Sequence, residues 1–205
     1  MKVGIIDYGA GNLRSAANAI QSIGVEPTIL SAGQGFDGFT HLILPGVGAF
    51  GDSMGELTRR GLVEPICQWI SDDRPFFGIC VGYQVLFESG WESPGVAGLG
   101  VLKGEVVRFP EDGRKIPHMG WNDAKLGNPA DPLWRNLGDD PYFYFVHSYF
   151  PEPVDRTLIA AETVYEGTSF AAAVRRGNLI GTQFHPEKSQ QAGIRLLENF
   201  LAIKA

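Results

Sequence analysis

The chain is expected to fold as a mixed α/β protein, with a mainly parallel open sheet, helices on both faces, and antiparallel hairpins in the second half. Three observations predict this. Short continuous apolar runs alternate with helix-spaced stretches through the first half, the pattern of strands covered on both faces. The second half instead carries β-branched and aromatic runs separated by Gly, Pro and Asp. Finally, 27 Gly and 13 Pro are scattered along 205 residues rather than clustered, as many tight turns require.

In chain order, residues 2–7 (KVGIID) read as a buried strand. Asn12 stands where a helix N-cap belongs, Leu13 to Ile23 has helical spacing, and Gly24 supplies the stop. Residues 27–30 form a second strand, and 41–44 (HLIL) a third that should break at Pro45. Residues 52–71 predict two helical pieces parted near Gly61. A fourth strand, 75–79 (PFFGI), leads into a helix from about Val81 to Glu88. Segments 101–109, 142–150, 157–165, 170–175 and 178–184 read as hairpin strands attached to the same sheet. A last helix, roughly 188–202, places Ile194, Leu197 and Leu201 on one face. No internal repeat or low-complexity linker is visible, so one domain spanning 1–205 is the economical organisation.

Composition narrows the function. With 17 basic and 23 acidic residues the net charge is −6, which argues against duplex nucleic acid or an anionic membrane as partner. No apolar run approaches the roughly 18–20 residues of a membrane span. The opening MKVGIIDYG reaches Asp7 too soon for a signal peptide. Cys67 and Cys80 lie too far apart for a C-x-x-C motif and offer no disulfide framework, so a reducing, cytoplasmic setting is expected.

Cys80 has the surroundings of a working thiol. Gly78-Ile79-Cys80-Val81-Gly82 is G-x-C-x-G between a strand and a helix, the cysteine version of a nucleophile elbow. So sharp a turn needs small neighbours on both sides. The helix behind it aims its positive end at the sulfur and favours the thiolate. The Val81 N–H can then donate to an oxyanion. The plainer alternative is a core cysteine in a glycine-rich turn.

A thiolate also needs a base, and the base needs an orienting partner. His41 reads as a strand-end residue. His118 and His147 sit beside aromatic residues, as partly buried histidines do. His185 differs: Pro186 ends its strand, and Glu187, two residues on, shares its face in extended backbone. Cys80, His185 and Glu187 are therefore candidate catalytic residues at the ends of neighbouring strands. The same three types could ligate zinc, but neither arm has a second Cys or His at ligand spacing, so no metal is expected. Residues 46–51 match G-x-G-x-x-G, a pattern that arises by accident in a chain so rich in glycine. It follows a late strand, Pro45 sits where its turn should begin, and no acid follows at ribose spacing. The preferred reading is a backbone loop beside the elbow, with a second oxyanion N–H from Val47 or Gly48 and glycines that let the peptide rotate.

PGVGAFG, GICVGYQ and GTQFHPEKS, in that order, are similar to the motifs of class I, triad-type glutamine amidotransferases, and the likeness covers nearly the whole chain. DYGAGNL at 7–13, IPHMGWN at 116–122 and FVHSYF at 145–150 further resemble the glutaminase subunits of imidazole glycerol phosphate synthases, enzymes of histidine biosynthesis. The resemblance implies a flavodoxin-like fold and no cofactor. It implies that Cys80 forms a γ-glutamyl thioester, that His185 gives its proton to departing ammonia, and that Glu187 orients His185. Gln84 and Glu92 would help hold L-glutamine, with His147, Ser148 and Tyr149 lining the pocket. Trp121 would meet the partner, a cyclase subunit with a (β/α)₈ barrel. That partner, in a heterodimer, would use the ammonia to form imidazole glycerol phosphate and AICAR. Val81 and Tyr83 depart from the Leu and Met often found there, and Tyr83 could reshape the pocket wall. A glutaminase serving anthranilate or pyridoxal phosphate synthesis, or a binding module without chemistry, stands as the alternative. Cys67 reads as packing inward on its helix, and Asp139 and Asp140 as a solvated turn.

Overall fold

The computed structural model describes residues 1–9, 11–31 and 35–204. Strands β1 (Val3–Ile6), β2 (Thr28–Leu30), β3 (His41–Gly46) and β4 (Phe76–Cys80) alternate with helices α1 (Leu13–Ser22), α2 (Phe50–Arg59) and α3 (Val63–Ser71). Every residue of β1, β3 and β4 is buried, which is why these segments are continuously apolar instead of alternating. After the one-turn helix α4 (Val81–Gln84) come β5 (Ser89–Gly90), β6 (Gly104–Arg108), β7 (His118–Asp123), β8 (Lys125–Leu126), β9 (Tyr142–His147) and β10 (Tyr149–Pro153). Strands β11 (Ile159–Tyr165), β12 (Thr168–Arg176) and β13 (Leu179–Thr182) precede the last helix, α5 (Gln190–Leu201).

Among the described residues the main sheet has eight strands, ordered β2-β1-β3-β4-β13-β12-β11-β8. The first five run parallel and the last three are added antiparallel. The parallel part has the 2-1-3-4-5 order of flavodoxin-like sheets, which bind ligands beyond the carboxyl ends of their strands. α5 buries Leu196, Leu197, Phe200 and Leu201, and the Phe200 ring packs edge-on against Phe77 and His41.

Four expectations need correction. Strand β3 does not break at Pro45. Leu42 donates towards β4, to Pro75 O, so by alternation position 45 faces β1, whose pairing with β3 has already ended at Ile43. The missing N–H therefore costs no ladder bond. The helix after Cys80 stops at Gln84 instead of Glu88. The carbonyls of Val85, Leu86 and Phe87 accept from Leu99, Leu102 and Gly100, which takes away the acceptors a longer helix would use. The hairpins do not all join one sheet: β10-β6-β5 and β7-β9 form separate sheets. Segment 142–150 divides at Ser148, whose carbonyl accepts from Phe109, and β9 lies over the main sheet with Phe143 stacked on Phe184 at 3.9 Å. Last, β13 pairs antiparallel with β12 but parallel with β4, so it is the fifth parallel strand as well as a hairpin arm.

Candidate active site

Cys80 ends β4, and α4 begins at Val81 with no residue between them. The Cys80 backbone is at φ 54°, ψ −110°, a region that L side chains rarely adopt. The flanking glycines are demanded by contact. A Cβ on Gly82 would overlap the Leu44 carbonyl oxygen, and one on Gly78 would press on the Gly82–Tyr83 peptide. The G-x-C-x-G spacing is thus the condition for the turn.

His185 lies three residues beyond β13, the neighbour of β4, with Thr182 in register with Ile79. Its N–H donates to Tyr144 O at 2.9 Å, and its carbonyl accepts from Ser189 Oγ at 2.6 Å, so the backbone is held on both sides. Nδ1 meets Glu187 Oε1 at 2.7 Å, and both side chains are wholly buried. The two side chains meet as expected, but not through extended backbone: a 3₁₀ turn over Pro186–Lys188, with His185 at its N-cap, brings the Glu187 carboxylate back to the ring. Burial disfavours the imidazolium, but the charge and nearness of Cys80, together with the Glu187 carboxylate, outweigh it and raise the His185 pKa to about 10. Nε2 completes no hydrogen bond of good geometry, so sulfur and ring interact through charge and proximity before any substrate aligns them.

Two neighbours were not anticipated. Asn12 sits at the N-cap position of α1 but in left-handed backbone (φ 75°), and its side chain makes no cap bond. Its amide instead donates to Glu187 Oε1 and lies 3.3 Å from His185 Nδ1. Gln183 donates to Cys80 Sγ at 3.7 Å and accepts from Gln84 at 3.0 Å. The signal for Gln183 was present, since it stands two residues before His185. Tyr83, expected at the pocket wall, points away from it. Its ring packs where Gly181 lacks a side chain, and its hydroxyl reaches Ala171 O at 3.4 Å.

A cleft of about 310 Å³ opens over the sulfur, lined by Val47, Gly48, Cys80, Val81, Gln84, Glu92, Pro117, Val146, His147, Ser148 and Tyr149. Both amide hydrogens of Gln84 are spent, on Tyr149 O and Gln183 Oε1, so it offers a ligand its carbonyl oxygen. Glu92 Oε2 accepts from Phe50 N at 2.7 Å and Ser93 Oγ from Gly51 N at 3.0 Å. These protein groups occupy the start of α2, the donors a pyrophosphate would need, which removes the physical basis of a dinucleotide loop at 46–51. Trp121 lies outside the cleft, exposed on β7 with Met119, and its ring meets Tyr144 of β9 edge-on. His41 is a buried residue bonded to Thr40 and Ile203 O. Cys67 is half-buried on α3, where burial pushes its thiol pKa up. Among the described residues, no three His, Cys, Asp or Glu side chains are grouped to hold a metal ion, and no helix is long and apolar enough to cross a membrane.

Comparison with known proteins identifies the family. Residues 4–204 match the family model described as glutamine amidotransferase class-I. The imidazole glycerol phosphate synthase subunit HisH of Rhodopirellula baltica is 50% identical over 96% of this chain and 95% of its own. The protein of the same name from Desulfitobacterium hafniense is 47% identical over 97% and 92%. In fold, the chain is similar to a structure of PurLQS from Thermotoga maritima, with a TM-score of 0.78 and 22% identity over 98% of this chain and 97% of that one. The chain belongs to the class I glutamine amidotransferase family.

Proposed function

We propose that this chain is the glutamine-hydrolysing subunit of an imidazole glycerol phosphate synthase, acting in the cytoplasm in a heterodimer with a cyclase subunit that consumes the ammonia. The observation that carries the reading is a cysteine in strained backbone, sharing its site with an imidazole fixed by a buried carboxylate. The Cys80 thiolate attacks the side-chain carbonyl carbon of glutamine, and the carbonyl electron pair moves onto oxygen. Val81 opens α4, so its N–H has no partner within the helix and can meet that oxyanion with an N–H from the Val47–Gly48 loop. Collapse breaks the C–N bond, and the departing nitrogen takes the proton from His185 Nε2 and leaves as ammonia. Water then attacks the γ-glutamyl thioester, giving a proton to the neutral Nε2. The C–S bond breaks, glutamate leaves, and the thiolate–imidazolium pair is restored. The Gln84 carbonyl and the Glu92 carboxylate suit the α-ammonium of glutamine.

Glutamine-dependent turnover on mixing with a cyclase subunit tests this reading. Failure to produce glutamate with any such subunit would overturn it. The exposed Met119, Trp121 and Tyr142 beside the cleft fit a docking face. Trp121→Ala is expected to weaken cyclase binding about 30-fold, measured by titration calorimetry, as for a central aromatic anchor.

Glu187→Gln has a pH signature. The Asn12 amide and His185 Nδ1–H both point at Oε1, so the new amide should keep its oxygen there and preserve the tautomer. What is lost is charge. His185 then deprotonates at lower pH, and the alkaline fall of kcat/KM moves below its wild-type position near pH 10. Each unit by which the imidazolium is weakened brings that limb down by about one pH unit, so the loss of kcat/KM should be roughly tenfold per unit on the alkaline side and small at neutral pH. An unmoved alkaline limb would show that Glu187 acts by position alone.

A further inference from the structure

The molecule buries two more imidazoles that hydrolysis does not use, His147 in the lining of the cleft and His118 against it. His118 on β7 is sandwiched between the rings of Phe145 (centroids 4.8 Å, 24°) and Tyr165 (4.1 Å, 23°), with Phe109 and Phe170 edge-on. A phenyl ring would fill that space, so the nitrogens need a reason. His118 Nδ1 lies 3.0 Å from His147 Nε2, and His147 Nδ1 lies 2.8 Å from Tyr149 O. His118 Nε2 faces the Asn122 amide nitrogen at 3.4 Å, and that nitrogen also donates to Val164 O at 3.0 Å.

The directions of these bonds follow from their ends. A carbonyl only accepts, so His147 carries its proton on Nδ1. Its Nε2 must then accept, which makes His118 Nδ1 the donor. His118 Nε2 is left to accept from Asn122, whose amide is already oriented by Val164 O. Burial keeps both rings neutral, with the His118 pKa lowered to about 4 and the His147 pKa to about 3, so each holds one proton. The arrangement forces His147 away from the Nε2–H tautomer that a free imidazole prefers. Its consequence is local: Tyr149 O, held by His147, is also the acceptor that orients Gln84 in the cleft.

We infer that His118 is a positioning residue for glutamine binding, holding His147 in the tautomer that fixes the Tyr149 carbonyl and, through it, Gln84. The link to glutamine rests on the glutaminase reading above, while the tautomer assignment does not. Long-range ¹H–¹⁵N spectra of the histidine-labelled full chain should show His118 and His147 both protonated on Nδ1. Either ring found as Nε2–H in the unmodified protein overturns the inference.

His118→Phe keeps the stack and removes the donor. His147 Nε2 is then left without its donor and the ring is less firmly held against Tyr149 O, so KM for glutamine in the cyclase complex is expected to rise about five- to tenfold while kcat stays within about twofold. His118→Asn, whose amide nitrogen can stand where Nδ1 stood, should restore part of the affinity. An unchanged KM in a folded His118→Phe would overturn the positioning role. Should His118→Phe fail to fold, the spectra of the unmodified protein still decide the tautomer. Absence of glutamine hydrolysis by the unmodified chain with any cyclase subunit would fail the glutaminase reading without touching the tautomer result.

Discussion

Cys80→Ala should lose glutamine hydrolysis by about 10⁴-fold or more while its complex with the cyclase still uses added ammonium salts at an undiminished rate. On the proposed mechanism, removing the sulfur removes the group that would form the thioester. His185 would retain Glu187 and Asn12 at Nδ1, so the scaffold of the site survives. The ammonia-driven rate is the control that separates lost chemistry from lost structure. Thermal melting adds a second readout, because the backbone at φ 54° penalises any side chain at position 80. Cys80→Gly releases that strain and should melt roughly 2–4 °C higher, the shift that about 1 kcal/mol produces in a chain of this size. A more stable, inactive glycine variant would mean that strain is kept at this turn for the sake of the sulfur's position. If Cys80→Ala still hydrolyses glutamine, the nucleophile lies elsewhere and the mechanism above is wrong.

Residues that shape their own surroundings were legible in the sequence, and those that act across the chain were not. Strands β1, β3 and β4 are buried on both faces, so their apolar runs declared them. Strand β7 did not, because HMGWND mixes glycine, Asn and Asp with its apolar residues, and only pairing with β9 makes it a strand. His185 and Glu187 were paired on a spacing argument for extended backbone, although a 3₁₀ turn over Pro186–Lys188 is what brings them together. Gln183 obeys the same spacing and could have been added. Asn12 could not: it is 173 residues from His185, and its side chain suits a helix cap as well as it suits a carboxylate. Tyr83 misled for a related reason. It follows the nucleophile closely, but only the room left by Gly181 shows that it turns into the core. The resemblance to known amidotransferases supplied the roles of Gln84, Glu92 and Trp121, for which spacing alone had no argument.

Docking of the cyclase subunit should raise the glutaminase kcat by about 100- to 1000-fold with little change in the KM for glutamine, the effect of gaining one oxyanion donor. An oxyanion exists only once the carbonyl has been attacked, so such a donor leaves the ground state alone. The structure has the parts for this. The Val47–Gly48 segment divides the cleft over Cys80 from a second hollow of about 200 Å³, lined by residues including Tyr8, Asp52 and Ser53, so there is room on both sides of the peptide. Gly48 is at φ +107° with no atom within 4 Å of where a Cβ would stand, so its backbone is constrained by torsion and not by packing. The far end of the loop is anchored, because Glu92 and Ser93 bond the first N–H groups of α2. A hinge free of packing next to a fixed helix would let the peptide turn between two states. Gly48→Ala should penalise the present state without a clash, leaving one state in command and bringing the ratio of complexed to isolated kcat towards one. Initial-rate glutaminase assays with and without the cyclase, on both proteins, measure that ratio directly. An isolated chain as fast as the complex would rule gating out. A Gly48→Ala protein that keeps the full activation would place the switch outside this loop.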